Sequence, residues 1–231
     1  MNVGVESPAR LDLDAARARI GSVVADVVRQ VVRDAGATGV VLLDDGSPEA
    51  SLAREWCELG LGEEAVWPVP RPDAADARGW AVEIGGDVGG ADTLAEEAHR
   101  FRCRLVAAVC GALVAHPANK TALLLASRLP PEPLLPLGDL YASQVAALTG
   151  AWTGPPELVR LVERAGGVAA LDAALDAWLD ERRPFDAVVA ALGPDVAAEL
   201  RRAFDAGRFW RRRVGLVPKL GWRTLGIDLF G

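Results

Sequence analysis

Three short stretches of this 231-residue chain gather the side chains that could do chemistry. The first, Asp44-Asp45-Gly46-Ser47-Pro48-Glu49, sets three acids and a hydroxyl in six positions. Acids in a turn can hold magnesium through oxygen, or they can simply cap the backbone. The second is Asn119-Lys120-Thr121, followed after a proline-rich connection by Pro136-Leu-Gly-Asp-Leu-Tyr141 and Ser143-Gln-Val145. Lys120 is one of only two lysines, the other being Lys219. The third is Arg211-Arg212-Arg213, behind Phe209 and Trp210. Arginines there can grip a phosphate bidentately or stand as a solvated helix end on a favourable dipole; both readings are open. The two histidines, His99 and His116, have no metal-ligand spacing to the cysteines. No G-x-S-x-G nucleophile turn occurs. Asp139, after Gly138, reads as a helix N-cap.

The elements that must position these groups alternate in type. Asp12 to Asp34 carries Ile20, Val23, Val24, Val27, Val28, Val31 and Val32 at helical spacing, and Gly36 is placed to end that helix. Gly39-Val-Val-Leu-Leu43 reads as a buried parallel strand. Ser47 reads as the N-cap of the next helix, with Pro48 first in it and Glu49 in its first turn. Ala65 to Val69 predicts a strand whose proline suits an edge or an end; Trp80 to Ile84 predicts another, and Gly85 to Gly90 a hinge. Thr93 with Glu96 forms a capping box for a helix to Cys110, and Ala112 to Ala115 a further strand. Helices are expected at 158–164, 168–180, 185–191 and 195–206, then an extended tail from Val217. Polar groups at the carboxyl ends of such strands are where open parallel sheets place ligands. The pattern predicts an α/β fold, a doubly wound parallel sheet flanked by helices. Residues 1–231 read as one domain, with a sheet part at 12–150 and a helical part with tail at 151–231.

Composition narrows the setting. Half the residues are apolar, 25% are charged and the net charge is −7, which argues against a polyanion-binding surface and so against nucleic acid. Cys57, Cys103 and Cys110 form no C-x-x-C pair and read as reduced thiols. The longest apolar run, 105–115, is too short to span a bilayer. With no signal peptide visible, the expectation is a cytoplasmic protein.

The N-K-[ST]-x-x-L-L and P-[LI]-G-D-L-Y-x-[ST]-Q-V elements resemble the synthetase domain of NAD synthase, which amidates nicotinic acid adenine dinucleotide with ATP and ammonia. The resemblance covers nearly the whole chain. It implies the adenine nucleotide α-hydrolase-like fold, ATP and magnesium as cofactors, and a homodimer. By position it implies nucleotide binding at Asp44, Asp45, Gly46, Ser47, Arg102, Asn119, Lys120, Thr121, Arg211 and Arg212; read from their own chemistry, Asp44, Asp45 or Glu49 could hold magnesium.

The family's strand-to-helix turn reads S-G-G-x-D-S; this chain has Asp44, Asp45 and Gly46, with Pro48 and Glu49 at the aspartate and serine positions. The family's metal-binding acid is Ala122, its glycine-threonine pair is His116-Pro117, its phosphate-contacting lysine is Ala142, and its substrate loop is Leu129-Pro-Pro-Glu-Pro133. Its lid-like segment is shortened to Arg164-Ala-Gly-Gly167. A carboxylate ~4 Å from a phosphate costs on the order of 4 kcal/mol at an effective dielectric of about 20. Loss of one preorganised donor lowers turnover about 100- to 1000-fold. The sequence therefore predicts a catalytically degenerate member acting as a nucleotide-binding or partner subunit. Two alternatives stand beside it: an active synthetase with a rebuilt site using Asp44, Asp45, Glu49, Lys120 and the arginine cluster, or a purely structural partner, as a heterodimer with a true synthetase.

Overall fold

The computed structural model describes residues 13–73, 76, 91–125, 132–207 and 215–220. The expected strand at 80–84, the hinge at 85–90, the tail beyond 220 and the Arg211–Arg213 cluster lie outside them.

β1 (Val40–Asp44) is the centre of a parallel sheet ordered β2-β1-β3, with β2 at Val66–Pro70 and β3 at Leu113–Ala115. Strand β1 is fully apolar until its last residue because both of its faces are covered. Val40 and Leu42 face α1 (Leu13–Asp34) and α2 (Pro48–Leu61), while Val41 and Leu43 pack with Cys103 and Ala107 of α3 (Ala91–Cys110). Helices on both faces make the sheet doubly wound, as the alternating pattern predicts. Pro68 sits in β2, which among the described residues pairs with β1 alone.

The sheet continues beyond β3 through single parallel bridges, Ala115 to Leu134 and Leu134 to Leu216. The tail is thus bound back to the body at Leu216, whose N–H donates to the Pro133 carbonyl at 2.8 Å.

Local chemistry accounts for the helix ends. Gly36 takes a positive φ after α1, and Ser47 caps α2 by accepting from the Ala50 N–H at 3.0 Å. Two expectations need correction. The buried stripe of α1 is Val24, Val28 and Val32, while Val23 faces outward, because a 3.6-residue turn carries i+4 neighbours onto one face and swings i+3 neighbours toward its rim. Helix α3 is in place from Ala91, two residues ahead of the expected Thr93 cap.

The second half of the chain is helical. α4 (Lys120–Leu125) and α5 (Ala142–Thr149) follow β3. Then come α6 (Pro156–Arg164), α7 (Val168–Leu175), α8 (Phe185–Leu192) and α9 (Pro194–Ala206). α7 runs on through a π-helical turn, Asp176–Asp180. The segment from Leu134 to Val145 joins the two halves. Leu134, Leu137, Leu140 and Val145 enter the apolar core under the sheet, while Leu135 and Tyr141 enter the core of the helical half. Among the described residues no helix is long and apolar enough to cross a membrane.

α1 and α2 cross closely, and Gly60 makes that crossing possible. A Cβ there would stand 2.6 Å from the Ala25 carbonyl oxygen. Gly60→Ala is expected to lower stability by about 1–3 kcal/mol through overpacking. Urea denaturation should show this as a lower midpoint with an unchanged slope.

Candidate functional site

The turn after β1 satisfies its own backbone. The Gly46 N–H donates to Asp44 Oδ1 and the Ser47 N–H to Asp45 Oδ1, each at 3.0 Å. With Ala50 N–H on the Ser47 hydroxyl, three donors that open α2 are already engaged. Gly46 has φ 75°, the left-handed conformation that glycine permits without strain. Glu49 is buried, and its two oxygens accept from the Thr153 N–H at 3.2 Å and the Thr153 hydroxyl at 3.0 Å. Burial raises its proton affinity, outweighing the hydrogen bonds, and the Asp45 charge adds to the rise.

β3 runs parallel beside β1, so the His116–Asn119 loop lies next to this turn. His116 accepts at Nδ1 from the Ala118 N–H at 3.1 Å. Loss of hydration, reinforced by the Arg100 charge, pushes its imidazole down to about 3. It is therefore a neutral loop brace at any ordinary pH. His99 is buried, with Nε2 2.5 Å from the Val69 carbonyl oxygen, and burial lowers its affinity for a proton as well. Arg102 is half-buried on α3, near enough for its charge to act on His99 and Cys103. Arg104 pairs with the buried Glu132 at 3.0 Å. Burial pushes the thiols of Cys57 and Cys103 up to about 12, which makes them inert.

The Asn119-Lys120-Thr121 motif turns away from that edge and into the joint. Asn119 caps α4, its Oδ1 accepting from the Ala122 N–H at 3.0 Å. Thr121 donates to Asp172 Oδ1 at 2.6 Å and accepts from the Ala142 N–H at 2.9 Å. The other Asp172 oxygen takes the Ser143 N–H at 2.6 Å. Lys120 Nζ binds Asp180 Oδ2 at 2.6 Å and lies 3.9 Å from Asp139 Oδ1 and 4.5 Å from the Tyr141 ring centre. The Tyr141 hydroxyl donates to the same Asp180 oxygen at 2.9 Å.

The expected N-cap role of Asp139 is not found. Tyr141 occupies the cap position of α5, and Asp139 instead accepts from the Leu220 N–H at 2.6 Å, tying down the tail. The chain turns over 135–140 before the helix begins, with Gly138 N–H on the Leu135 carbonyl and Leu140 N–H on that of Leu137, which the capping pattern cannot reveal.

Beside Lys120 opens a cavity of about 660 Å³. Its polar wall is acidic, with Asp139 and four carboxylates the sequence reading did not single out: Asp172, Asp176, Asp180 and Glu181. A signal for three of them was present, since Asp172, Asp176 and Asp180 recur every four residues along one helical stripe. Among the described residues no group of three His, Cys, Asp or Glu side chains could hold a metal ion.

Three solved structures share this architecture. The ammonia-dependent NAD synthetase of Campylobacter jejuni, in complex with a nitrate ion, matches with a TM-score of 0.62 at 19% identity, over 84% of this chain and 95% of its own. The fold is that of the NAD synthetases. The enzyme of Burkholderia pseudomallei matches at 0.51 and 18% identity, over 85% of this chain and 92% of its own. The glutamine-dependent NAD synthetase of Acinetobacter baumannii, in complex with ADP, matches at 0.50 and 19% identity, where 97% of this chain spans 50% of that one. No family model and no curated protein matches this sequence.

Within this NAD synthetase fold, burial raises the carboxyls of Glu49, Asp172 and Asp176, and Asp180 adds to the rise at Asp176. A carboxyl that holds its proton more tightly folded than unfolded contributes stability fully present below its unfolded value, about 4. That contribution disappears as pH rises through the higher folded value. Unfolding free energies measured from about pH 4.5 to 8 should therefore decline for these groups, and Glu49→Gln should flatten part of the decline.

Proposed function

We propose that this chain is a catalytically degenerate protein of the NAD synthetase fold that acts as a partner subunit in the cytoplasm. In this reading it does not amidate nicotinic acid adenine dinucleotide with ATP. The observation that carries the proposal is the self-capped turn after β1. A pyrophosphate held at a helix N-terminus needs backbone N–H groups aimed at it; here Asp44 and Asp45 already receive those of Gly46 and Ser47. Their carboxylates occupy the space of an incoming anion and repel it. Glu49, with both oxygens on Thr153, is poorly placed to bring a magnesium ion to the rescue. Lys120 and Thr121 serve as staples to Asp180 and Asp172, and Asn119 caps α4, structural roles that need no acid at Ala122.

A partner subunit needs a surface, and α3 supplies one. Leu105 and Val109 are 51% and 79% exposed, one helical turn apart. The occupant is a second copy of the chain. Such a pair is self-complementary about a two-fold axis, where Leu105 of one copy meets Val109 of the other. Sedimentation should show a dimer that Leu105→Glu converts to monomer.

The catalytic part is tested by a coupled assay for NAD formation and by calorimetry with ATP and magnesium. Neither product nor saturable heat is expected. The double substitution Asp44→Ser, Asp45→Gly frees the Gly46 and Ser47 N–H groups and should create measurable nucleotide binding. Turnover by the unaltered chain would overturn the proposal.

A further inference from the structure

We propose that residues 215–220 form a clasp that opens and closes across the joint between the two halves, with Gly138 and Asp139 as its seat. The clasp is laid as a further parallel strand position on the segment 133–135. Leu216 donates its N–H to the Pro133 carbonyl at 2.8 Å and accepts the Leu135 N–H at 2.9 Å. At the far end the Leu220 N–H reaches Asp139 Oδ2 at 2.6 Å. Val217 packs on the core of the helical half, and Leu220 on the core under the sheet. A single short segment therefore touches both halves.

Two glycines show that the seat is built for this segment. Neither Gly138 nor Gly215 has a positive φ, so neither position needs glycine for its backbone conformation. What each lacks is room. A Cβ on Gly138 would stand 2.9 Å from both Val217 methyl carbons, and one on Gly215 would stand 2.2 Å from the Glu132 carbonyl oxygen. The Asp139 side chain completes the seat, fully buried and turned to the Leu220 N–H. The Gly138-Asp139 pair thereby serves the chain's own tail, by the main-chain pairing and side-chain seating through which sheet edges take up extended peptides.

The body beneath is held together without the clasp. Leu134 accepts the His116 N–H at 3.0 Å, the Gly138 N–H donates to Leu135 and the Lys120 N–H to Leu140, while Leu134 and Leu137 belong to the core under the sheet. The clasp itself is shallow. Leu216 is 56% exposed, Lys219 is exposed, Val217 and Leu220 are half-buried, and Pro218 alone of its residues is buried. Segments with few buried contacts open locally, at a lower cost than global unfolding. Opening takes Leu220 out of the wall of the cavity beside Lys120 and releases its hold on Asp139, so the clasp governs solvent access to the joint.

NAD formation by the chain would leave the clasp standing, and a clasp that never opens would leave the self-capped turn standing. The test is amide hydrogen exchange of the full chain, read by NMR in buffer and in urea below the unfolding transition. The Leu135, Leu216 and Leu220 amides report the clasp, and those of Val41 and Leu42 in the central strand β1 report global unfolding. The clasp amides are expected to exchange at least about tenfold faster than those of β1, with little dependence on urea. Gly215→Ala, which sets a methyl group against the Glu132 carbonyl, should abolish protection at the three clasp amides while β1 stays protected. Equal protection and equal urea dependence of clasp and β1 in the unaltered chain would overturn the proposal, and that comparison needs no variant. Retained clasp protection in Gly215→Ala, or loss of β1 protection along with it, would overturn it as well.

Discussion

A backbone N–H has one proton to donate, and at the end of β1 those protons are already spoken for. Asp44 and Asp45 take the Gly46 and Ser47 donors, and Ser47 takes that of Ala50. An N-terminal helix turn is a ready anion site only while such groups point at solvent. Here the anions are covalently part of the turn, at the effective concentration of an intramolecular group. A phosphate would have to displace two carboxylates, each hydrogen-bonded locally, and then lie beside them.

The same economy of donors governs the joint between the halves. Thr121 both donates and accepts, so one hydroxyl links α4, α5 and α7. Lys120 and Tyr141 converge on a single oxygen of Asp180. Removing one partner from such a cluster strands a buried polar group, at about 1–3 kcal/mol for a neutral one and more for a charge. This is a physical reason for the motif to remain while the turn before α2 changes. The motif holds the fold whether or not any nucleotide is present.

Much of this was legible in the residues. The apolar β1, the Ser47-Pro48 start of α2, the glycine after α1 and the alternation of strand and helix follow from local rules, and the structure agrees with each. The degenerate turn was legible as charge in the wrong place, but its carboxylates folding back onto their own N–H groups were not. That depends on side-chain direction over two residues. The role of Asp139 was misread because a cap assignment needs the true helix start, and Tyr141 lies two residues on. The acidic wall was overlooked because Asp172, Asp176 and Asp180 sit in an ordinary-looking amphipathic helix. Only packing against α4 and α5 turns that stripe toward Lys120. Neither the sequence pattern nor the structure places Arg211 and Arg212, which lie outside the described residues.

The claim on which the account rests concerns three amide groups, and nitrogen-15 NMR observes them directly. During titration with ATP and magnesium, the Gly46, Ser47 and Ala50 amide signals should hold their positions, since their protons stay on Asp44, Asp45 and Ser47. A saturable shift of those signals, with the Asp44 and Asp45 carboxylates released, would contradict it.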